Sequence, residues 1–409
     1  MGKRSEAKGF YRLLSNEKLD MANLSTAVQE ATNNKLEGTV LLIEDTSDIN
    51  LNGHKKTDGL GYSSEYIRGI KLHSCIATTE EGLPLGLIKQ YYETRETAKS
   101  KLSKQEKKNR PIEEKESYRW LKMLEESTAE LPDGVKAITI CDREGDFYEL
   151  YAQALGLGED FIIRVSHDRN TESESNEKLM SQIRRTKALG EVEVVIPRNS
   201  RASKKARTAT MEVAACRIRI KKPVSVTDDS LPDALEMNIV RITEIGELED
   251  PNDAIEWILA TSLPVNTEEE VMRIVGFYVN RWKIERFHFV LKSGCNVEKI
   301  QQRSYDKIKV MLLIYSVIAM YIMTITYLGR LIPNMPCDVF LEKDEWQTLY
   351  RIINRTKKAP EEPYSMEEAV KYLGELGSYR RAPSDGPPGL KSIWKGLLRL
   401  FDYLELLIE

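Results

Sequence analysis

The chain has 409 residues, is 41% hydrophobic and 30% charged, and carries a formal net charge of -4. That length predicts two or three domains with a sizeable core, and the composition excludes a disordered chain. It also excludes a bulk polycation, so any nucleic acid would be met by local basic patches. Five scattered cysteines (75, 141, 216, 295, 337) form no CxxC pair, which argues against structural zinc and for a reducing compartment. The four histidines show no HExxH or HxH spacing.

Residues 1–33 read as helical but too short for a domain, and their start has no apolar core of signal-peptide length. The apolar run 39–47, ending Glu44-Asp45-Thr46-Ser47, is predicted to be a buried strand. Runs 70–78 and 84–91 follow, separated by Glu80-Glu81-Gly82, a hairpin signal. Residues 99–116 are densely charged and read as an exposed loop, followed by a helix over 115–130 with Trp120, Leu121 and Leu124 on its apolar side. A second apolar strand, 137–142, ends in Asp142 and is followed by Arg143-Glu144-Gly145-Asp146. A helix over 147–154 and a strand over 160–165 then suggest parallel crossover pairing.

Beyond residue 190 the pattern turns to alternation. Between 198 and 222 stand Arg198, Arg201, Lys204, Lys205, Arg207, Arg217, Arg219, Lys221 and Lys222 against the single acid Glu212. This reads as a β-rich insertion over about 190–262, either a phosphate-contacting surface or a solvated hairpin, closed by strands at 238–243 and 257–262. A helix starts after Pro264, with Asn266 or Thr267 as its cap. Residues 310–329 are uncharged for twenty positions, long enough for a membrane span. Tyr315, Ser316, Tyr321, Thr324 and Thr326 favour a buried central helix instead, with no membrane partner. Residues 334–409 read as a small helical module.

The most informative stretch is 278–292. Tyr278, Glu285 and Lys292 recur every seven residues, nearly two helical turns, and Arg281 falls one turn from Glu285. One helix is predicted to carry all four on its polar front, with Phe277, Ile284, Phe287, Val290 and Leu291 behind. A carboxylate among cations suits a metal held beside a phosphate chain, although i,i+4 ion pairs on a solvated face give the same pattern. Asp45 and Asp142 end strands, where ligands gather in a mixed sheet. Either alone also fits a turn or a cap. Three converging carboxylates repel one another unless a divalent cation lies between them, and hard oxygen ligands suit Mg²⁺ or Mn²⁺.

These blocks resemble the DDE transposases of the IS4 group, most closely the Tn5-like branch. The signature Y-x2-R-x3-E-x6-K is met by Tyr278, Arg281, Glu285 and Lys292. The D-T-[TS] strand is met by Asp45-Thr46-Ser47, the C-D-R-E-x-D block by 141–146, the W-x-L-x-T-S strand by 257–262 and the D-G-x-P-G-x-K-x-x-W-[RK]-G ending by 385–396. The resemblance spans essentially the whole chain, in family order.

It implies an α/β fold: an RNase H-like mixed sheet core over 34–333 with the β insertion, and a helical dimerisation domain over 334–409. Residues 1–33 would be the remnant of an N-terminal DNA-binding region whose first part is absent. Asp45, Asp142 and Glu285 would be catalytic and bind two Mg²⁺ ions, with Mn²⁺ as a substitute. Tyr278, Arg281 and Lys292 would grip phosphates near the cut, Trp257 would stack on a flipped base, and Arg164 would lie near the cleaved end. The implied activity is cut-and-paste transposition through a hairpin, by a homodimer on paired transposon ends and target double-stranded DNA in a bacterial-type, nucleoid-associated cytoplasm. Two rival readings are a short inhibitor that dimerises with full-length transposase, and a nuclease that does not transfer strands.

Overall fold

Leu41, Leu42 and Ile43 follow one another with no polar residue between, and all three are 0% exposed, so both faces of their strand are covered. They form the middle of β1 (Thr39–Asn50). The computed structural model describes residues 12–14, 16, 19–98, 103, 106, 110–173, 177–196, 207–246, 254–382 and 386–408. β1 runs antiparallel to β2 (Gly69–Thr79), which pairs with β3 (Pro84–Glu93). On its other side β1 runs parallel to β4 (Lys136–Cys141), which runs parallel to β5 (Asp160–Arg164). The order β3-β2-β1-β4-β5 is the expected RNase H-like core.

The β insertion does not stand apart from that core. β9 (Glu256–Thr261) pairs antiparallel with β5, Ile163 opposite Ala260. β8 (Ala234–Glu244), β7 (Arg207–Lys221) and β6 (Gly190–Ile196) then extend the sheet to nine strands. Four of the nine cations counted along the insertion have an acid beside them. Arg207 pairs with Glu244, Arg217 with Glu236, Arg219 with Glu172 and Lys222 with Asp233. A count along one strand misses these because the acids arrive from neighbouring elements. Arg198, Arg201, Lys204 and Lys205 lie outside the described residues.

Side chains alternate faces along each strand, which divides the core in two. Leu41, Ile43, Ile138, Ile140, Ile162 and Leu259 face one cluster, joined by helices α5 (Glu268–Val279), α6 (Trp282–Phe289) and α7 (Tyr305–Leu331). Cys141, Phe161, Ile163 and Ala260 face the other way, where Trp120 and Leu124 of α2 (Tyr118–Thr128) meet Tyr148 and Tyr151 of α3 (Tyr148–Leu157). Short helices α1 (Met21–Asn33) and α4 (Leu179–Arg185) pack at the periphery.

The helix predicted through 278–292 is not one helix. α5 begins with a capping box between Thr267 and Glu270 and ends at Val279. Asn280, Arg281, Lys283 and Ile284 then bond to carbonyls three residues back, a tightened turn between α5 and α6. After α6 the chain loosens into a π turn over Val290–Gly294, where the Cys295 amide reaches the Val290 carbonyl at 2.8 Å. The tightened turn is held from outside. The β2–β3 hairpin sets Gly82 at φ 84°, and a Cβ there would overlap the Asn280 side chain. Asn280 Nδ2 donates to the Glu80 carbonyl at 2.9 Å, and Arg273 bonds the Glu80 carboxylate at 2.6 Å.

The uncharged run lies inside α7, a 27-residue helix long and apolar enough to cross a membrane. It is instead buried as expected. Ile308, Leu312, Ala319, Ile322 and Ile325 are fully covered, and Thr324 bonds the Pro84 carbonyl of β3 at 3.0 Å. α7 also packs on α9 (Met366–Leu376) and α10 (Leu390–Ile408), which with α8 (Lys343–Asn354) make the C-terminal helical module. α9 and α10 cross backbone to backbone, because a Cβ on Gly396 would overlap the Leu373 carbonyl.

Candidate active site

The parallel ladder between β1 and β4 ends at Ile43 opposite Ile140. Two residues on, Asp45 within β1 and Asp142 just past the end of β4 follow on these neighbouring strands, on the face covered by α6. Asp45 is not a strand terminus as predicted. It lies inside the β1–β2 pairing, opposite Ser74, and only its β4 side is open. Its Oδ1 accepts from the Thr46 amide at 2.8 Å. Burial, then the negative charge of Asp142, pushes its carboxyl from 3.8 up to about 7; Glu285 adds to the rise, while the Thr46 amide and Arg281 oppose it. Asp142 caps a single 3₁₀ turn over Arg143–Gly145 by accepting from the Glu144 amide at 2.7 Å.

Glu285 reaches this pair from α6. Its Oε1 accepts from the Arg281 guanidinium at 2.6 Å. Arg281 lies over the Trp282 ring at 5.4 Å and near the Tyr278 ring at 6.0 Å. Burial pushes the Tyr278 phenol up, against the pull of Arg281 and Arg164 on either side of it. Arg164, at the end of β5, donates to the Glu256 carbonyl at 3.3 Å. Asp45, Asp142, Glu285, Arg281, Tyr278 and Arg164 thus share one electrostatic neighbourhood. Trp257 is set behind Tyr278, ring centroids 5.4 Å apart and edge to face, and is 6% exposed. The stacking role implied for it meets an indole already covered. Lys292 sits in the π turn, close enough to His288 to add to the burial that lowers that ring to about 3.

His288 was passed over in the sequence because it belongs to no metal-binding spacing. Its Nδ1 lies 3.7 Å from Asp45 Oδ2, and its position three residues after Glu285, on the same helical side, was the available signal. Asp146 was quoted only as part of a motif. Its carboxylate is fully buried and accepts from Tyr151 at 2.8 Å, Ser166 Oγ at 3.0 Å, the His167 amide at 2.8 Å and Arg169. It thereby ties the loop carrying Asp142 to the end of β5.

Among the described residues no group of three His, Cys, Asp or Glu side chains is already placed to hold a metal. The Glu285 carboxylate is engaged by Arg281. The donor set itself fits a hard divalent ion. All three groups offer carboxylate oxygens, and burial beside Asp142 disfavours ionisation of Asp45, which a bound cation would favour.

The transposase DDE domain family matches residues 37–322, and the transposase Tn5 dimerisation domain matches 317–406. Among solved structures, the cryo-EM structure of piggyBac transposase synaptic complex with hairpin DNA (SNHP) is similar over 71% of this chain, at 11% identity and a TM-score of 0.33. The match spans 46% of that chain, just under half its length. A DDE domain followed by a Tn5 dimerisation domain, on a sheet that brings Asp45 beside Asp142 under the helix of Glu285, places the chain in the DDE transposase family, as a Tn5-like member of the IS4 type.

Proposed function

We propose that this protein is a DNA transposase that cleaves at transposon ends and transfers the freed strands into target DNA, with Asp45, Asp142 and Glu285 as its catalytic acids. The observation that carries this reading is the emergence of Asp45 and Asp142 from adjacent parallel strands beneath the helix of Glu285. DDE transposase domains use divalent metal ions, and here two Mg²⁺ ions would be held by these three residues. When bound, they would supply Lewis-acid activation of water or a 3′-hydroxyl and stabilise the leaving oxygen.

The chain's own groups do the rest. Arg281 is released when Glu285 turns toward the aspartates, and its planar fork then meets a phosphate near the scissile bond. Lys292 and Arg164 flank the strand, and Tyr278 offers its phenol between Arg164 and Arg281. Trp257 stacks on a flipped base only once its cover by Tyr278 opens. Residues 1–33, 34–333 and 334–409 act as an end-binding segment, catalytic domain and dimerisation domain, and two copies pair two DNA ends in the bacterial cytoplasm. The boundary at 333 follows the end of α7, whereas the dimerisation family begins within that helix at 317.

The test is cleavage of a plasmid carrying the element's ends in Mg²⁺. Hairpin-capped ends followed by joining support the reading. Open ends without joining leave a nuclease, and no cleavage by a form with an extended N-terminus removes the proposal.

A further inference from the structure

A second cleft of about 870 Å³ opens on the sheet face opposite the three carboxylates, where the turn after β5 meets the end of β7. Its floor is the Asp146 node. Arg169 is 9% exposed, spends its terminal nitrogens on Asp146, and leaves its buried Nε without a partner. Lys115, Lys178, Lys221 and Lys222 stand around it, with His167 at one edge. Lys115, Lys178 and Lys221 make no ion pair among the described residues. Three acids also line the cleft. Asp146 is consumed by Arg169, while Glu149 and Asp168, the latter accepting from the Met180 amide at 2.9 Å, are left to oppose the lysines. One wall is apolar and aromatic. Phe147, half-buried ahead of α3, and Val224, exposed on the β7–β8 turn, make its surface, while Tyr148 lies covered in the core behind them, its hydroxyl on the Pro232 carbonyl at 2.7 Å.

Cations along one side and an apolar wall carrying Phe147 on the other are the elements that hold a nucleic-acid strand, phosphates on lysine and a base against the ring. The volume lies in the range of small-ligand clefts, about 300–1,000 Å³, and does not admit the width of a double helix. We propose that this cleft takes a short stretch of single-stranded DNA. The choice of nucleic acid rests on the transposase reading; the choice of one strand rests on the cleft. A strand seated here lies across the sheet from the carboxylates, so this is a holding site and not a site of cleavage.

The test is binding of a short fluorescein-labelled oligo(dT) to the full chain in EDTA, where no cleavage intervenes. Lys115→Glu, Lys178→Glu and Lys221→Glu are combined. The expected result is oligo(dT) affinity reduced about 10-fold or more, with a salt dependence shallower by about 2 in log–log slope for three lost phosphate contacts. Duplex affinity and the melting midpoint stay unchanged. Unchanged oligo(dT) affinity, an equal loss on duplex, or equal displacement of oligo(dT) by polyglutamate would each overturn the proposal. Should the charge-reversed chain melt early, the Gln variants of the same lysines replace it. Photocrosslinking with 5-iododeoxyuridine in the oligonucleotide supplies the location. Adducts on 147–149, 167–170 or 222–226 support the cleft, and adducts confined to 257–292 sink it. Metal-dependent cleavage by the parent chain is scored separately, so its loss removes the transposase reading while the binding result stands by itself.

Discussion

Asp45→Asn is the substitution that most directly tests the electrostatics of the carboxylate cluster. Burial and the neighbouring acids raise Asp45 from 3.8 to about 7 in the folded chain. The folded state therefore binds this proton more tightly than the unfolded state does. The associated stability is complete below pH 3.8 and is lost as pH rises to about 7. At about 1.4 kcal/mol per pH unit, the ionised group costs the metal-free protein about 4 kcal/mol above neutrality. Asparagine keeps the shape and carries no charge. With an unfolding entropy of about 2 cal/mol/K per residue, 4 kcal/mol corresponds to about 5 °C in a chain of 409 residues. Thermal melts in EDTA should show the variant above the parent by about that much at pH 8, with the gap closing toward pH 4. Mg²⁺ should raise the parent's midpoint and leave the variant's nearly unmoved. A variant that melts with the parent at pH 8, or above it by the same margin at every pH, would refute the account of Asp45 as an uncompensated buried charge.

Asp142→Ala and Glu285→Gln should each reduce plasmid cleavage to background while melting within about 1 kcal/mol of the parent, and cleavage at the parent's rate would remove either residue from the site. Gly82→Ala should cost about 1–2 kcal/mol from its positive φ alone, and more from contact with Asn280. It should also lower cleavage by shifting the turn before Glu285, whereas a normal rate with lowered stability would uncouple the hairpin from the site. Asp146→Asn leaves Arg169 buried without its counter-charge and should cost about 3–5 kcal/mol by urea denaturation. Arg169 and the Ser166 amide hold the Asp146 carboxyl below 3.8 despite its burial, so this contribution is present above pH 3.8 and lost as pH falls below it. A difference between parent and Asn variant that does not shrink as pH falls below 3.8 would contradict that sign.

Much of the core was readable because burial on both faces writes an uninterrupted apolar run. The residues 41–43 and 161–163 announced β1 and β5 in this way, 137–141 announced β4 with only Thr139 polar, and Glu80-Glu81-Gly82 announced the hairpin. The catalytic candidates were legible as motif blocks, but their geometry was not. Spacing by seven implied one straight helix, and nothing in residues 278–292 signals that Asn280 is pinned by a hairpin two hundred positions earlier. The charge balance of the insertion was legible only in part for a related reason. Its positive charge was counted along one strand, while Glu236 and Glu244 arrive by pairing with β8. His288 and Asp146 escaped notice because their partners, Asp45 and Arg169, are neighbours only in space.

One feature of the architecture has mechanical weight. At 1.5 Å per residue α7 is a rod of about 40 Å. One end lies under the sheet beside α6, and the other is clamped by α9 and α10, with no proline or glycine pair along it to act as a joint. Whatever surface a second copy grips at the C-terminal module, its orientation is conveyed along this shaft to the cutting face. The distance between the carboxylate clusters of two such copies would then be set by a fixed beam.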